Sequence, residues 1–162
     1  MADTATITKI VNSFAGALIG VCKNLGISAV LDKSEISPET KAPNNRAAAL
    51  IGFVTSTVNG TIGLLADEQA FGEIVTTMSG GAVNPDFNDP LAMSAFGELT
   101  NMVSGQAFIK FNEKEISITP PQLLTGEFIV AVPSAEDAVR SFTIPFKLDT
   151  GSKLYLVLAL NA

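Results

Sequence analysis

From Ala48 to Gly81 the sequence reads as two β-rich runs, Ala48 to Val58 and Thr61 to Ala66, followed directly by a helical pattern. Asn59-Gly60 stands between the runs, and the tolerance of both residues for positive φ suits a two-residue hairpin turn. Asp67 then supplies an N-cap, Ala70, Phe71, Ile74, Val75 and Met78 recur on one face, and Gly80-Gly81 stop the helix. A hairpin with a helix folded back over it needs each apolar face to bury against the other, which points to layered helix and sheet.

The flanking segments extend this pattern. Between Thr6 and Leu25, apolar residues fall at Ile7, Ile10, Val11, Phe14, Leu18, Val21, Cys22 and Leu25, the spacing of one helical face, and Gly26 supplies a stop. Gly16 and Gly20 each weaken this helix by ~1 kcal/mol relative to Ala, so close contact with another element is expected there. Ser34 to Arg46, with Pro38, Pro43, Asn44 and Asn45, reads as a surface loop containing at most an irregular edge strand. Asp89 and Pro90 open a further helix that runs to about Asn112. Strand patterns return at Glu115 to Thr119, Glu127 to Val132, Ser141 to Leu148 and Leu154 to Leu160, with Pro120-Pro121 confining the first to an edge or a turn. The expected fold is α+β, a largely antiparallel sheet with long helices packed on one face, in a single domain over residues 1–162.

Composition narrows the chemistry. The chain has no His, no Trp and one Cys, so function falls to carboxylates, amides, hydroxyls or Lys and Arg. Its net charge of −6 argues against a nucleic-acid partner, which needs a cationic footprint. Hydrophobic residues make up 47% against 16% charged, which indicates a folded body and suggests a buried oligomer interface. The apolar runs are interrupted well short of the ~20 residues that span a bilayer. Asp3 and a lone early cation, Lys9, do not fit a secretory leader. A soluble, cytoplasmic protein is expected, with Cys22 as a buried thiol. No metal site is read in the chain: capping explains Asp89, and the spacing of a calcium loop is absent. Asn59 to Gly63 and Gly80-Gly81 lack the Lys and Gly spacing of a phosphate-binding loop.

The helix opened by Asp89 carries the best chemical candidate. At about 100° per residue, Ser94, Glu98, Asn101 and Gly105 fall within roughly 60° of one another. Ala92, Phe96, Leu99, Val103 and Ala107 form an apolar face on the other side. Gly97 and Gly105 flank the polar stripe and are expected to leave room for a partner surface. A Glu and an Asn three residues apart are common on solvated helix faces. Asn is nevertheless a poor helix former, and the neighbouring glycines weaken the helix further, a combination that a purely structural helix has no need of.

Ser94-x-x-x-Glu98-x-x-Asn101 on a long helix, followed by Ile118-Thr-Pro120-Pro121-Gln-Leu-Leu-Thr-Gly126, resembles the CheC and CheX phosphatases of bacterial chemotaxis. The single copy of the motif is closer to the CheX type. The helix after Asp67 has Ala70-x-x-x-Ile74-x-x-Thr77 at the corresponding spacing and is expected to be non-catalytic.

The resemblance implies a protein phosphatase that hydrolyses the aspartyl phosphate of a CheY-like response regulator and so ends its signal. Glu98 and Asn101 are the implied catalytic pair, with Ser94, Gly97 and Gly105 as contacts to the regulator. It also implies no cofactor bound by this chain, Mg²⁺ supplied by the regulator, and a homodimer. A carboxamide at Asn101 can hold a water in line with the leaving aspartate without repelling the phosphoryl oxygens. Glu98 is expected to pair with the active-site Lys of the regulator, action as a general base being the weaker alternative. Two other readings stand beside the enzyme: a non-catalytic binding module like the flagellar switch protein FliM, and a bare dimerisation unit.

Overall fold

A computed structural model describes residues 3–127, 129 and 139–161. Among these, the elements run α1 (Thr4–Leu25), β1 (Ala29–Leu31), β2 (Ala47–Thr55), β3 (Asn59–Ala66), α2 (Glu68–Ser79), α3 (Pro90–Phe111), β4 (Ile116–Ile118), β5 (Gln122–Thr125), β6 (Val139–Leu148) and β7 (Lys153–Asn161). The strands form one sheet in the order β1-β6-β7-β3-β2-β4, with β5 also paired to β2, and every pairing is antiparallel. Leu154, Leu156, Leu158 and Leu160 of β7 join Ile62 and Leu64 of β3 in the main core, together with the buried faces of all three helices. The intervening Tyr155 and Val157 point to the other face and pack with Ala48 and Leu65. The fold is therefore α+β, with its helices on one side of an antiparallel sheet.

The β2–β3 hairpin is present, but its turn is not Asn59-Gly60. Those residues are the first of β3, paired with Val54 and Phe53. The chain reverses at Ser56 to Val58, closed by Thr55, whose backbone N–H and hydroxyl both donate to the Val58 carbonyl at 2.8 Å. Gly60 is required for a tertiary reason: a Cβ there would collide with the carbonyl oxygen of Ala159 in β7 and would lie 3.2 Å from the Phe53 ring. Gly60→Ala is expected to destabilise the fold by about 1–3 kcal/mol, because a backbone oxygen in a central pairing cannot rotate away. The measurement is a lower urea midpoint at unchanged slope.

Pro120-Pro121 splits one sheet edge. β4 pairs with residues 53–55 of β2 and β5 with residues 47–50 of the same strand. Between them Thr119 holds Gly52 twice at 2.9 Å, donating its N–H to the Gly52 carbonyl and accepting the Gly52 N–H on Oγ1. The edge position expected for Pro120-Pro121 is thus observed, whereas β1 and β5 were not anticipated. The strand expected over Glu127 to Val132 falls mostly outside the described residues. The loop from Ser34 to Arg46 holds a short 3₁₀ turn, Lys33–Glu35, at its start and one isolated bridge, Ser37 to Thr143.

Each helix start is fixed by an aspartate. Asp3 accepts the Thr6 N–H at 2.7 Å, Asp67 that of Ala70 at 2.8 Å, and Asp89 that of Leu91 at 2.9 Å. Hydrogen bonding by Thr6, its backbone N–H first, holds the Asp3 carboxyl below the usual carboxylate range. Gly26 ends α1 at φ 86°, where glycine carries no Cβ penalty. Contrary to the sequence reading of its apolar runs, α1 is long and apolar enough, by length and composition, to cross a membrane. Here Ile7, Ile10, Phe14, Ala17, Leu18, Val21 and Cys22 of that helix are spent on the core of the protein itself.

Burial first, and Glu73 second, push the Cys22 thiol from an ordinary 9.0 to about 12. Because the folded state holds this proton more tightly, the associated stability is complete below pH 9 and is lost as the pH rises through about 12. Two results are expected. A thiol reagent near about pH 8 should label Cys22 only after unfolding. Above pH 9, wild-type stability should also fall more steeply than that of Cys22→Ala, by up to ~1.4 kcal/mol per pH unit.

Candidate active site

α3 is held from three directions. Phe96, Leu99, Val103 and Ala107 face the core, as their spacing requires, and the helix lies over β2, β3 and β5. Phe96 meets Phe71 of α2 edge-on at 5.8 Å, and Phe108 meets Phe14 of α1 in a T-shaped contact at 5.4 Å and Phe53 of β2 at 5.3 Å. Thr100 and Ser104 are buried on a flank, and their hydroxyls donate back to the carbonyls of Phe96 and Thr100 within the helix. At the C-terminus Asn112 takes φ 61° and closes on the Phe108 and Ile109 carbonyls. Such anchoring fixes both the rotation and the ends of the helix.

What remains outward is one stripe. Ser94, Glu98 and Gly105 are exposed and Asn101 is half-buried. Leu91 and Ile109 extend the stripe at its two ends, 66% and 71% exposed. The structure therefore brings Ser94, Glu98, Asn101 and Gly105 together as the spacing requires, with the i, i+3 pair Glu98 and Asn101 neighbouring at about 5–6 Å between Cβ atoms. Among the described residues, no hydrogen bond or ion pair engages either side chain. Both functional groups are free to meet an external molecule.

Gly97 differs from the sequence reading. It is buried, and a Cβ there would come within 2.8 Å of Leu123 Cδ2 and 3.5 Å of Pro121 Cγ. The close approach that this glycine permits is made by the chain's own edge strand, not left open for a partner. Its neighbour in sequence is Glu98, so Pro121 and Leu123 press on the helix directly behind the motif. The Pro-Pro segment and the Glu-Asn pair, read as separate motifs, are parts of one assembly.

Gly20 differs as well, because no atom lies within 4 Å of where its Cβ would stand, whereas Gly16 faces Lys110 Nζ at 3.6 Å. Of these two glycines only Gly16 answers to the expected close contact. In α2, Ala70 and Ile74 occupy the positions that would correspond to the first two motif residues, and both are fully buried in the core. That helix presents no equivalent stripe.

Among the described residues, no three Asp, Glu or Cys side chains converge as metal ligands. The chemistry available on the stripe is that of one carboxylate, Glu98, one carboxamide, Asn101, and the Ser94 hydroxyl. A site of this kind orients a water and a cation but offers no activated nucleophile: Ser94 has no His or Lys beside it, and among the described residues no hydrogen bond joins its hydroxyl to Glu98.

The sequence pattern described as chemotaxis phosphatase CheX matches residues 47–147, which include α2, the whole of α3 and the Pro-Pro segment. The CheY-P phosphatase CheX of Thermotoga maritima is 28% identical over 145 residues, covering 86% of this chain and 85% of that protein. Among solved structures, a CheC-like superfamily protein from Shewanella sp. PV-4 superposes with a TM-score of 0.80 at 23% identity, covering 95% of this chain and 98% of the other. The crystal structure of a CheX-CheY-BeF3-Mg²⁺ complex from Borrelia burgdorferi gives a TM-score of 0.75 at 17% identity, covering 94% and 97%. Those two likenesses establish a shared fold. With the family pattern spanning more than half of its length, and with the motif helix inside that span, the chain belongs to the CheX family of chemotaxis phosphatases.

Proposed function

We propose that this protein hydrolyses the aspartyl phosphate of a CheY-like response regulator and thereby terminates a chemotaxis-type signal. The observation that carries the proposal is the outward, unengaged pair Glu98 and Asn101 on a helix fixed from three sides. When α3 meets the phosphorylated pocket, the Asn101 side-chain oxygen accepts a hydrogen from a water and its NH₂ group remains available to donate. The water oxygen attacks phosphorus in line. Its bond to phosphorus forms as the bond from phosphorus to the aspartate oxygen breaks, the aspartate leaves as a carboxylate, and the water's protons pass to phosphate and solvent. Mg²⁺ bound by the regulator offsets charge on the phosphoryl oxygens, so this chain supplies positioning alone.

Glu98 pairs with a cation of the regulator and sets the depth of α3 in the pocket. Ser94 and Gly105 touch the regulator from the same stripe, and Gly97 acts through the packing behind it. The proposal includes a cytoplasmic location, where such regulators act, and a homodimer. A candidate dimer face is the outer side of the sheet near Val54, which is 56% exposed.

The test is phosphate release from purified, phosphorylated regulators with and without this protein. Faster release supports the enzyme. Binding without acceleration identifies the FliM-like binding module instead.

A further inference from the structure

The helix pair α1 and α3 differs in charge from the rest of the molecule. α1 carries Lys9 and Lys23 with no acidic residue, and α3 carries Lys110 with Glu98 as its one acidic residue. Their N-capping Asp3 and Asp89 aside, these helices carry net +2 within a chain of net charge −6, which leaves −8 on the remainder. A phosphorylated aspartate among carboxylates that hold Mg²⁺ is an anionic surface. It is attracted by this face and repelled by the others.

A groove of about 510 Å³ runs between the two helices, lined by Gly16, Gly20, Met102, Gly105, Ile109 and Lys110 among others. It opens beside the motif: Met102 follows Asn101, and Gly105 belongs to both the groove and the stripe. A Cβ on Gly20 or Gly105 would meet nothing within 4 Å, and neither residue has a positive φ. Glycine is thus required at these two helical positions neither by the backbone nor by the chain's own packing, although it weakens both helices. Apolar Met102 and exposed Ile109 stand on one wall with cationic Lys110 at the rim, which suits an apolar side chain flanked by acidic ones.

Resting on the phosphatase reading above, we infer that the α1–α3 groove, rimmed by Lys110, is the second half of the docking surface. It seats an acidic segment of the phosphorylated regulator next to the phosphorylation pocket, while Glu98 and Asn101 enter the pocket itself. Two side chains on one helix fix a point of contact but leave rotation about it free. A contact on a second helix about 8–10 Å away removes that freedom and so strengthens the docked complex.

Steady-state hydrolysis of a phosphorylated regulator tests this with two substitutions outside the motif. Gly20→Leu puts a side chain into the groove from a position where a Cβ meets no atom within 4 Å, and it should raise KM about tenfold while leaving kcat within about twofold. Lys110→Glu should raise KM and flatten its dependence on salt. Unchanged KM for Gly20→Leu, with wild-type circular dichroism and urea midpoint, overturns the inference. If Gly20→Leu does not fold, an unchanged KM and salt dependence for Lys110→Glu does so. Absence of hydrolysis by the wild type removes the phosphatase reading and this inference with it, whereas wild-type hydrolysis with both variants unaffected removes the groove alone.

Discussion

Asn101→Ala is expected to slow regulator dephosphorylation by about 10²-fold or more, the scale seen when a group that orients or stabilises the reacting atoms is removed. The fold should not suffer. Asn101 is half-buried and makes no hydrogen bond to the described chain, and Ala is a better helix former by up to ~0.7 kcal/mol. A loss of rate with an unchanged or raised urea midpoint is the signature of a positioning group, separate from a structural one. Asn101→Asp sharpens the point because it keeps the shape but places an anion beside the phosphoryl oxygens, and it should be inactive as well. Equal rates for Asn101→Ala and wild type would sink the role assigned to the carboxamide.

Glu98→Lys is expected to weaken binding to the phosphorylated regulator and to remove activity together with it. Unit charges about 4 Å apart interact by ~1 kcal/mol in water and by ~4 kcal/mol where the effective dielectric is near 20. Reversal turns that attraction into repulsion of similar size, so a fall in affinity of about 10²-fold or more is expected at low salt. Glu98→Gln, which removes charge alone, should fall between the two. The measurement is a titration with beryllofluoride-activated regulator at two ionic strengths. Unchanged affinity for Glu98→Lys would remove the docking role and return Glu98 to the weaker general-base reading.

The features legible in the sequence were those whose causes are local. α2 and α3 begin where Asp67 and Asp89 cap them, α1 ends where Gly26 turns left-handed, and β6 and β7 follow their apolar patterns. Glu98 and Asn101 became neighbours through helical spacing alone. The features missed have distant causes. Asn59-Gly60 resembles a turn, yet Gly60 answers to the Ala159 carbonyl, about a hundred residues away along the chain. β5 is a four-residue edge strand behind two prolines and has no alternation long enough to register. Gly97 looked like an opening because Leu123, which fills it, is adjacent only in space. The groove wall on α1 was out of reach for the same reason, since nothing local says which helix faces Gly20.

The sheet order carries a consequence for how the site comes into being. Two hairpins, β2–β3 and β6–β7, each close locally, and the sheet is completed only when β3 finds β7, with Ala66 opposite Leu154 and Asn59 opposite Asn161. Joining segments so far apart is the slow kind of step in folding, because the loop must close before its contacts reward it. α3 rests on β2, β3 and β5, whereas α1 rests on β1 and β7. The seam between the hairpins therefore lies beneath the junction of the two helices. A nascent chain can carry Glu98 and Asn101 on a formed helix before that seam has closed, but the cationic face across α1 and α3 arises only in the finished protein.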